Sequence, residues 1–340
     1  MVAVAIPDVQ MALEQALELR GFSGTAKAAL VADFLGPQIE GVTTHGLGRF
    51  LLLDDALKAR QGPAQIIRDS GSCVLVDGHG ELGPVAATLA IELLIPRARS
   101  AGIAAVAVRN ISRYGRLSPY GRAIAEAGLA GIVLNGAGPA GVVPSGGIDP
   151  VLGTNPICFA FPMGKGQLVI DFTTAAKPWG AIRQAILRGD PLPEGVFIDG
   201  NGLFTRDPSE ANAVLPFGGH RGYALCLALE VLGGALVGAK MGLRVDNERD
   251  LGCLFMALDP AAFGTEDSIS GEIEDLAASI RHSRPKDASS PPRVPGDGSQ
   301  DRGRRAREAG IIEVDQETWD RLRAMSRELG AGLESTHATN

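Results

Sequence analysis

The sequence has few aromatic residues, few histidines and no excess of basic charge. Lysine and arginine total 32 against 39 aspartates and glutamates, which gives a net charge of −7. A protein of this charge has no general basic surface for nucleic acid, so we expect no nucleic-acid partner. Of the five histidines, His282 and His337 lie in segments whose composition predicts flexibility. Few side chains therefore remain that suit proton transfer near neutral pH.

Cysteine is also scarce, and no metal-binding pattern accompanies it. The four cysteines are Cys73, Cys158, Cys226 and Cys253. They lie far apart without a C-x-x-C pair, so we interpret them as small buried side chains in a reducing compartment. No H-E-x-x-H or paired ligand set occurs, and we expect no metal site.

Long apolar runs are missing as well. The longest, at 222–242, contains Glu230, Lys240 and several glycines, and is typical of a buried helix rather than of a membrane span. The amino terminus lacks the basic region of a signal peptide. We therefore expect a cytoplasmic protein without a membrane segment.

Glycine is abundant, and strands alternate with helices. The 45 glycines among 340 residues indicate many close backbone approaches. Apolar spacing predicts two helices within 8–38. Further on, it predicts strands at 72–77, 104–110, 129–136 and 167–171 and helices at 84–100 and 119–128. Such alternation favours an α/β sheet with flanking helices.

Residues 78–83, GHGELG, match G-x-G-x-x-G between a predicted strand and a predicted helix. This is the setting of a dinucleotide-binding loop, in which backbone N–H groups face a pyrophosphate. The next strand, however, ends in Arg109 and Asn110 instead of the acidic residue that would hold a ribose hydroxyl. A purely structural strand-to-helix turn is the alternative interpretation.

A polar loop places Thr44, His45 and Arg49 close together just before an apolar run. A histidine near an arginine combines a proton donor active near neutral pH with a cation that binds a carboxylate through two hydrogen bonds. The alternative is a surface loop whose histidine caps the next helix.

Two further polar pairs are candidate ligand contacts. Thr154 and Asn155 precede a proline in an extended segment and offer a hydroxyl and an amide, although a turn needs no ligand. His220 and Arg221 precede a buried helix whose start suits an anion, and a solvated loop is the alternative.

The segment Asp171, Phe172, Thr173 and Thr174 follows the carboxyl end of a predicted strand. Open α/β sheets bind their ligands at such strand ends. The alternative is that Thr173 or Thr174 caps a helix that begins here.

Taken in order, several short segments resemble the malate/L-lactate dehydrogenase family of the second type, over roughly residues 8 to 328. The segments are Thr44-His45-Gly46 with Arg49, Val143-Pro144-Ser145-Gly146-Gly147, Leu152-Gly153-Thr154-Asn155-Pro156, Asp171 onward, Arg221-Gly222-Tyr223-Ala224-Leu225, Leu258-Asp259-Pro260 with Phe263, and Val294-Pro295-Gly296-Asp297. Each is weak singly, but their order and spacing together are specific. The family includes ureidoglycolate and sulfolactate dehydrogenases, 2,3-diketogulonate reductase and cyclic imine reductases acting on Δ1-piperideine-2-carboxylate.

The resemblance implies a non-Rossmann, sulfolactate dehydrogenase-like α/β fold with a mixed sheet, a homodimer and a nicotinamide coenzyme, NAD or NADP. Under this resemblance, GHGELG is a structural turn and not a dinucleotide-binding loop. The implied coenzyme-binding residues are Asp171, Phe172, Thr173, Thr174, His220, Arg221, Pro295, Gly296 and Asp297. The implied reaction transfers a hydride between the nicotinamide and C2 of a small 2-oxo or 2-hydroxy acid.

The same resemblance implies roles at the substrate. His45 would donate the proton, Arg49 would bind the carboxylate, and the remaining expected substrate contacts are Thr44, Tyr114, Thr154 and Asn155. Where many members have His-Phe-Gly, this chain has Arg113-Tyr114-Gly115. An arginine, with a pKa above about 12, cannot cycle protons at neutral pH, so Arg113 is expected to polarise the carbonyl or hold a second anionic group.

This departure leaves two alternatives to the keto-acid activity. One is a cyclic imine reductase, whose substrate nitrogen can arrive already protonated. The other is a relative that binds a ligand without turning it over.

Four regions are expected along the chain. Residues 1–70 form the helical part of a substrate and dimer domain, and 71–265 form an α/β domain with the coenzyme-binding segment. Residues 266–330 comprise a flexible connection and carboxy-terminal helices that pack back on the amino-terminal part, and 331–340 form a disordered tail.

Overall fold

The computed structural model describes residues 1–58, 60–112, 115–136, 138–164, 166–245, 250–287 and 289–328. The predicted disordered tail, Arg113 and Tyr114 lie outside the described residues. Within the described part, no helix combines the length and apolar character needed to cross a membrane.

Strands and helices alternate through the first half of the chain, as the sequence predicts. The strands are β1 Val2–Ala5, β2 Gln65–Asp69, β3 Cys73–Glu81, β4 Ile103–Ile111, β5 Ala130–Gly136, β6 Pro156–Met163, β7 Gly166–Thr173, β8 Phe197–Ile198, β9 Phe204–Thr205, β10 Ala213–Val214, β11 Leu251–Leu258 and β12 Ile311–Val314. The helices are α1 Ile6–Glu18, α2 Gly24–Ile39, α3 Leu53–Leu57, α4 Gly83–Ala101, α5 Ser118–Glu126, α6 Gly180–Arg188, α7 His220–Gly233, α8 Ile269–His282, α9 Asp297–Ala309 and α10 Gln316–Met325. Short 3-10 helices cover Thr43–His45, Leu47–Leu52, Gly242–Arg244 and Pro260–Phe263.

The main sheet has seven strands in the order β2-β3-β4-β11-β5-β6-β7. β3 and β4 are parallel and are connected through α4, whereas the other neighbouring strands of this sheet are antiparallel. The mixed sheet that the resemblance implied is therefore confirmed. β11 comes from far along the chain and lies between β4 and β5, so it joins the two halves of the sheet.

Both faces of the sheet are covered by helices. On one face, α4 and α5 enclose a core with Val106, Val133 and Phe255, all fully buried. On the other face, α7 packs on β5 so closely that a Cβ added at Gly233 would lie 2.1 Å from the backbone nitrogen of Gly136. Glycine is required at this contact because no side chain fits between the helix and the strand.

The two ends of the chain form a second packed layer beside the sheet. β1 pairs antiparallel with β12, with Val4 opposite Ile312. Below this pair, Leu13, Phe50 and Leu322 share one buried cluster with α1 and α2. The 3-10 helices that precede α3 rest on this cluster.

Two expectations from the sequence are corrected here. The composition of 282–306 predicts a flexible connection within the 266–330 region, but α8 ends at His282 and α9 begins at Asp297, so residues 297–306 are helical. The carboxylate of Asp297 accepts a hydrogen bond from Val294 N at 3.0 Å, and Arg302 Nε donates to the carbonyl of Glu40 at 2.8 Å. The first contact caps the start of α9 locally, and the second, between residues 262 positions apart, anchors a helix whose local composition is unfavourable.

The second correction concerns GHGELG, which was interpreted as a turn between a strand and a helix. β3 continues as far as Glu81, and its parallel register with β4 shifts after Asp77. His79 has a φ of 47° and Gly80 a φ of 74°, which bends the strand before α4 begins at Gly83. The motif is thus mostly an irregular strand end.

Candidate active site

A cleft of about 1450 Å³ lies between the amino-terminal layer and the ends of the main-sheet strands. It brings together predicted residues that are distant in the sequence: Thr44, His45, Arg49, Thr154, Asn155, Asp171, Phe172 and Thr173. Pockets for small ligands usually measure about 300–1000 Å³, so this cleft has room for a dinucleotide and a small acid together.

His45 ends a 3-10 turn at the edge of the cleft. Its Nδ1 lies 2.8 Å from the hydroxyl oxygen of Thr44, a hydrogen-bonding distance. The same turn is connected to α6, because Gln184 Nε2 donates to Thr43 Oγ1 at 2.8 Å. The Thr44 hydroxyl thereby helps to orient the imidazole at the edge of the cleft.

Arg49 is held in one orientation by α2 and by the loop before α5. Its Nη1 donates to Asp33 Oδ2 at 2.8 Å, and its guanidinium lies 5.5 Å from the centre of the Phe34 ring. Asp33 is buried and also accepts a hydrogen bond from Gly115 N at 2.9 Å. A Cβ added at Gly115 would lie 2.8 Å from both Arg49 Nη1 and Asp33 Oδ1, so a side chain there would displace this ion pair. The arrangement fixes a planar cation at the cleft wall.

Asn155 lies deep in the cleft with a φ of 35°. Its Nδ2 donates to Glu230 Oε2 at 2.6 Å, and the same carboxylate oxygen accepts from Gly153 N at 3.3 Å. The side-chain oxygens of Asn155 and Asn135 are buried and accept no hydrogen bond from the described residues. Two acceptors therefore lie at the cleft for a donor from a ligand.

Asp171 lies near the end of β7 and borders both the cleft and α5. Burial raises the pKa of its carboxyl, and the N–H of Ser118, which donates to Oδ2 at 2.8 Å, opposes this rise. The carboxylate thus connects the strand end to the first turn of α5.

The two threonines after Phe172 have structural hydrogen bonds. Thr173 Oγ1 and Thr174 Oγ1 both donate to the carbonyl of Thr154, at 2.5 and 3.0 Å. Thr174 is fully buried and is not among the cleft-lining residues, whereas Thr173 lines the cleft. The helix-capping alternative for these residues is wrong, because α6 begins only at Gly180.

Other predicted coenzyme contacts lie outside the main cleft. His220 and Arg221 are exposed at the start of α7, next to a smaller cavity of about 410 Å³ that includes 143–147 and shares Phe217 with the cleft. At the Pro295–Asp297 turn, Gly296 has a φ of 94°, and a Cβ there would lie 3.4 Å from Val169 O on β7. The structure therefore places the turn against the strand that bears Asp171.

The sequence analysis missed several cleft residues, notably Asn135, Arg116 and Trp179, and it also missed Asp33, the buried partner of Arg49. Asp33 had one usable signal, since a lone acid inside the apolar run of α2 needs a partner when buried. The others gave none, because their contacts join segments that are remote in the sequence.

Comparisons with known proteins identify relatives along nearly the whole chain. The family model described as malate/L-lactate dehydrogenase matches residues 4–323. L-sulfolactate dehydrogenase of Methanothermobacter thermautotrophicus is 33% identical over 318 residues, which cover 90% of this chain and 91% of that protein. Hydroxycarboxylate dehydrogenase B of Escherichia coli strain K12 is 33% identical over 331 residues, covering 92% and 90%. Delta(1)-pyrroline-2-carboxylate/Delta(1)-piperideine-2-carboxylate reductase of Pseudomonas putida is 34% identical over 254 residues, covering 72% and 74%.

The fold is also shared with solved structures. Sulfolactate dehydrogenase from Methanocaldococcus jannaschii superimposes with a TM-score of 0.88 at 28% identity, covering 98% of this chain and 99% of that chain. Delta1-piperideine-2-carboxylate reductase from Pseudomonas syringae pvar. tomato has a TM-score of 0.85 at 28% identity, with coverages of 96% and 100%. Both similarities extend across the sheet and the amino-terminal layer.

Proposed function

Because the chain belongs to the malate/L-lactate dehydrogenase family, we propose that its cleft is the site of hydride transfer between a nicotinamide coenzyme and C2 of a small 2-oxo or 2-hydroxy acid. The observation that supports this site best is the meeting of His45 and Arg49 with the ends of β6 and β7 in one cleft. A proton donor, a carboxylate-binding cation and strand-end polar groups are the parts that the reaction requires.

The residues present fit a nicotinamide coenzyme. The buried oxygens of Asn135 and Asn155 suit the two N–H donors of a carboxamide, and Phe172 and Phe217 form an edge-to-face aromatic pair 5.9 Å apart where the cleft and the smaller cavity join. When bound, NAD or NADP supplies the hydride. We propose Asp171, Phe172 and Thr173 as direct contacts.

Thr174 supports those contacts through its hydrogen bond to the carbonyl of Thr154. His220, Arg221 and the Pro295–Asp297 turn are proposed contacts for the remote part of an extended dinucleotide. The positions of these residues support the proposal. His220 and Arg221 lie beside the connected smaller cavity, and the turn lies against β7. Titration with NADH and with NADPH distinguishes NAD from NADP as the coenzyme.

The protein's own groups position the substrate and move its proton. Arg49, fixed by Asp33, binds the substrate carboxylate and so directs C2 toward the coenzyme. His45, oriented by Thr44, gives a proton to the oxygen formed at C2 in reduction and takes it back in oxidation. Thr154 contributes a further polar contact. Arg113 and Tyr114 stay predicted substrate contacts outside the described residues.

A cyclic imine reductase is the second candidate function. The observation that favours it is the similarity to the Pseudomonas reductases, which are named for Δ1-piperideine-2-carboxylate as a substrate. The carboxylate would again bind Arg49. The two candidates differ at His45, because an imine nitrogen that is already protonated needs no donor.

The proposed function predicts saturable coenzyme binding followed by turnover. We expect titration with NADH and with NADPH to change the nicotinamide fluorescence and to raise the melting temperature for at least one of them. Oxidation of that coenzyme by pyruvate, oxaloacetate or a cyclic imino acid then identifies the substrate class. If the folded protein binds neither coenzyme, the oxidoreductase proposal is wrong and a non-catalytic ligand-binding role replaces it.

We also propose that the protein is a homodimer formed through α7. Leu227 and Val231, four residues apart on this helix, are 42% and 45% exposed, and Leu236 beyond it is 64% exposed. A continuous apolar face of this kind usually meets a partner, and a second copy is the partner that we propose. None of the four cysteines forms a disulfide bond, and we propose a cytoplasmic location, where thiols stay reduced.

Placing aspartates at Leu227 and Val231 together is expected to convert the dimer into monomers, because two buried charges would face each other across the interface. Light scattering after gel filtration measures the mass. Leu276→Asp on the exposed side of α8 is the control and should leave the mass unchanged. A monomeric wild-type protein, or a double variant that stays dimeric, contradicts this interface.

A further inference from the structure

Arg116 follows the glycine that packs against Arg49, and its side chain is only 10% exposed although it lines the cleft. Its Nη1 donates to Glu40 Oε2 at 2.5 Å. Its Nε is buried and has no hydrogen-bond acceptor among the described residues. A buried guanidinium N–H without an acceptor is unfavourable, and a ligand oxygen would remove that cost.

The charges around Arg116 are out of balance. The Glu40 carboxylate accepts hydrogen bonds from both Arg116 and Arg122, the latter at 3.5 Å, and Arg302 Nε donates to the Glu40 carbonyl. Two guanidinium groups therefore face the Glu40 carboxylate, and a third, that of Arg302, is bonded to the backbone carbonyl of the same residue. Asp171 also acts on Arg116 electrostatically, but its Oδ2 accepts from Ser118 N. Even with Asp171 ionised, this cluster has three arginines (Arg116, Arg122 and Arg302) against two carboxylates (Glu40 and Asp171), so its net charge is positive.

This cluster is separate from the groups that act at C2. Arg49 is paired with Asp33, and His45 with Thr44, whereas Arg116 is paired with Glu40 at the end of α2. A guanidinium group matches the planar geometry of carboxylates and phosphates better than an ammonium group does. The cleft thus has a second cationic position.

We propose that Arg116 binds an anionic oxygen group of a ligand in the cleft, either a phosphate of the coenzyme or a second acidic group of the substrate. The identity of these ligands rests on the function proposed above, whereas the anion site itself rests on Arg116 and its neighbours alone. Glu40 acts as a positioning residue, because it orients the guanidinium without reaching the ligand.

The test compares Arg116→Gln with Arg122→Gln. Both remove one positive charge beside Glu40, but Arg122 is not among the cleft-lining residues. Dissociation constants are measured for NADH and NADPH, Michaelis constants for oxaloacetate and pyruvate, and thermal shifts for inorganic pyrophosphate and malonate. We expect Arg116→Gln to weaken one anion class by about tenfold or more, as for a lost charge-assisted hydrogen bond, and Arg122→Gln to change it less than about threefold.

The pattern of losses identifies the source of the anion. Weaker NADH, NADPH and pyrophosphate binding assigns Arg116 to a coenzyme phosphate. Weaker oxaloacetate and malonate binding, with pyruvate unaffected, assigns it to the second acidic group of a substrate. Unchanged affinity for every probe, or equal losses in both variants, overturns the proposal.

Two further measurements cover the cases in which the coenzyme does not bind or Arg116→Gln does not fold. If the wild-type protein binds no coenzyme, the proposed function fails, and pyrophosphate and malonate still decide whether Arg116 is an anion site. If Arg116→Gln does not fold, Arg116→Lys keeps a charge for Glu40 but lacks the Nε–H. We expect that variant to lose part of the affinity for the same probes, and wild-type affinity for all of them overturns the proposal.

Discussion

His45→Ala is expected to lower kcat for reduction of a 2-oxo acid by about 10²-fold or more, because general acid catalysis by a positioned side chain contributes about 10²–10⁴-fold. Its imidazole borders the cleft and is oriented by the Thr44 hydroxyl 2.8 Å from Nδ1. The dissociation constant of the coenzyme should stay close to the wild-type value, because the loss concerns proton transfer. Steady-state kinetics and fluorescence titration measure the two quantities.

Two controls distinguish a loss of proton transfer from a general disturbance of the site. Thr44→Val keeps the shape of residue 44 but removes the hydroxyl, so kcat should fall less than in His45→Ala. A cyclic imino acid that arrives protonated should be reduced by His45→Ala at nearly the wild-type rate. Wild-type turnover of a 2-oxo acid by His45→Ala would exclude His45 from the mechanism.

Glu40→Gln is expected to lower the free energy of unfolding by about 3 kcal/mol near neutral pH, the usual effect of removing one partner of a buried ion pair. Glu40 is buried, and its carboxylate faces the guanidinium groups of Arg116 and Arg122. The amide keeps the size of the side chain, so the loss measures charge rather than packing. Urea unfolding followed by circular dichroism gives the difference.

The pH dependence of this loss has a definite sign. Burial on its own raises the pKa of Glu40, but Arg116 and then Arg122 outweigh burial and hold the pKa below its ordinary value of 4.5. A depressed carboxyl pKa stabilises the folded state above the ordinary value, and this contribution is lost as the pH falls through the lowered pKa. The difference between wild type and variant should therefore be full at pH 6–7 and shrink below about pH 4.

Asp69→Asn provides the matched comparison at the surface. Asp69 pairs with Arg97 at 2.7 Å but is exposed to solvent, which screens the pair. Its substitution should change the unfolding curve far less than Glu40→Gln does. Equal effects of the two substitutions, or a Glu40→Gln loss that persists at pH 3, would show that the buried pair is not the source of the stability.

The sequence predicts those parts of the molecule that depend on local patterns. Apolar periodicity locates α1, α2, α4 and α5, because amphipathic helices are encoded within one short segment. Strand pairing is different, since β11 joins β4 and β5 across more than a hundred residues and no local pattern indicates that position. The family resemblance thus implied that the sheet is mixed, whereas the order of its strands comes from the structure alone.

The candidate site likewise contains some residues that a local sequence pattern indicates and others that only the fold brings together. Thr44, His45 and Arg49 stand within one hexapeptide, so their spacing alone indicates a joint role. The contact between Arg116 and Glu40 joins residues 76 positions apart, and neither has a sequence signal. Thr174 shows the opposite case. Its position at a strand end indicates a ligand contact, but its hydroxyl donates a hydrogen bond to the backbone carbonyl of Thr154.

The placement of β11 also determines when this protein can first assemble during synthesis. β4 and β5 are made early, but both edges that face each other across β11 stay unpaired until residue 258 has left the ribosome. β1 must likewise wait for β12, near residue 314. A nascent chain shorter than this exposes open strand edges, which are templates for aggregation. The order of the strands therefore delays the closing of both sheets until late in translation.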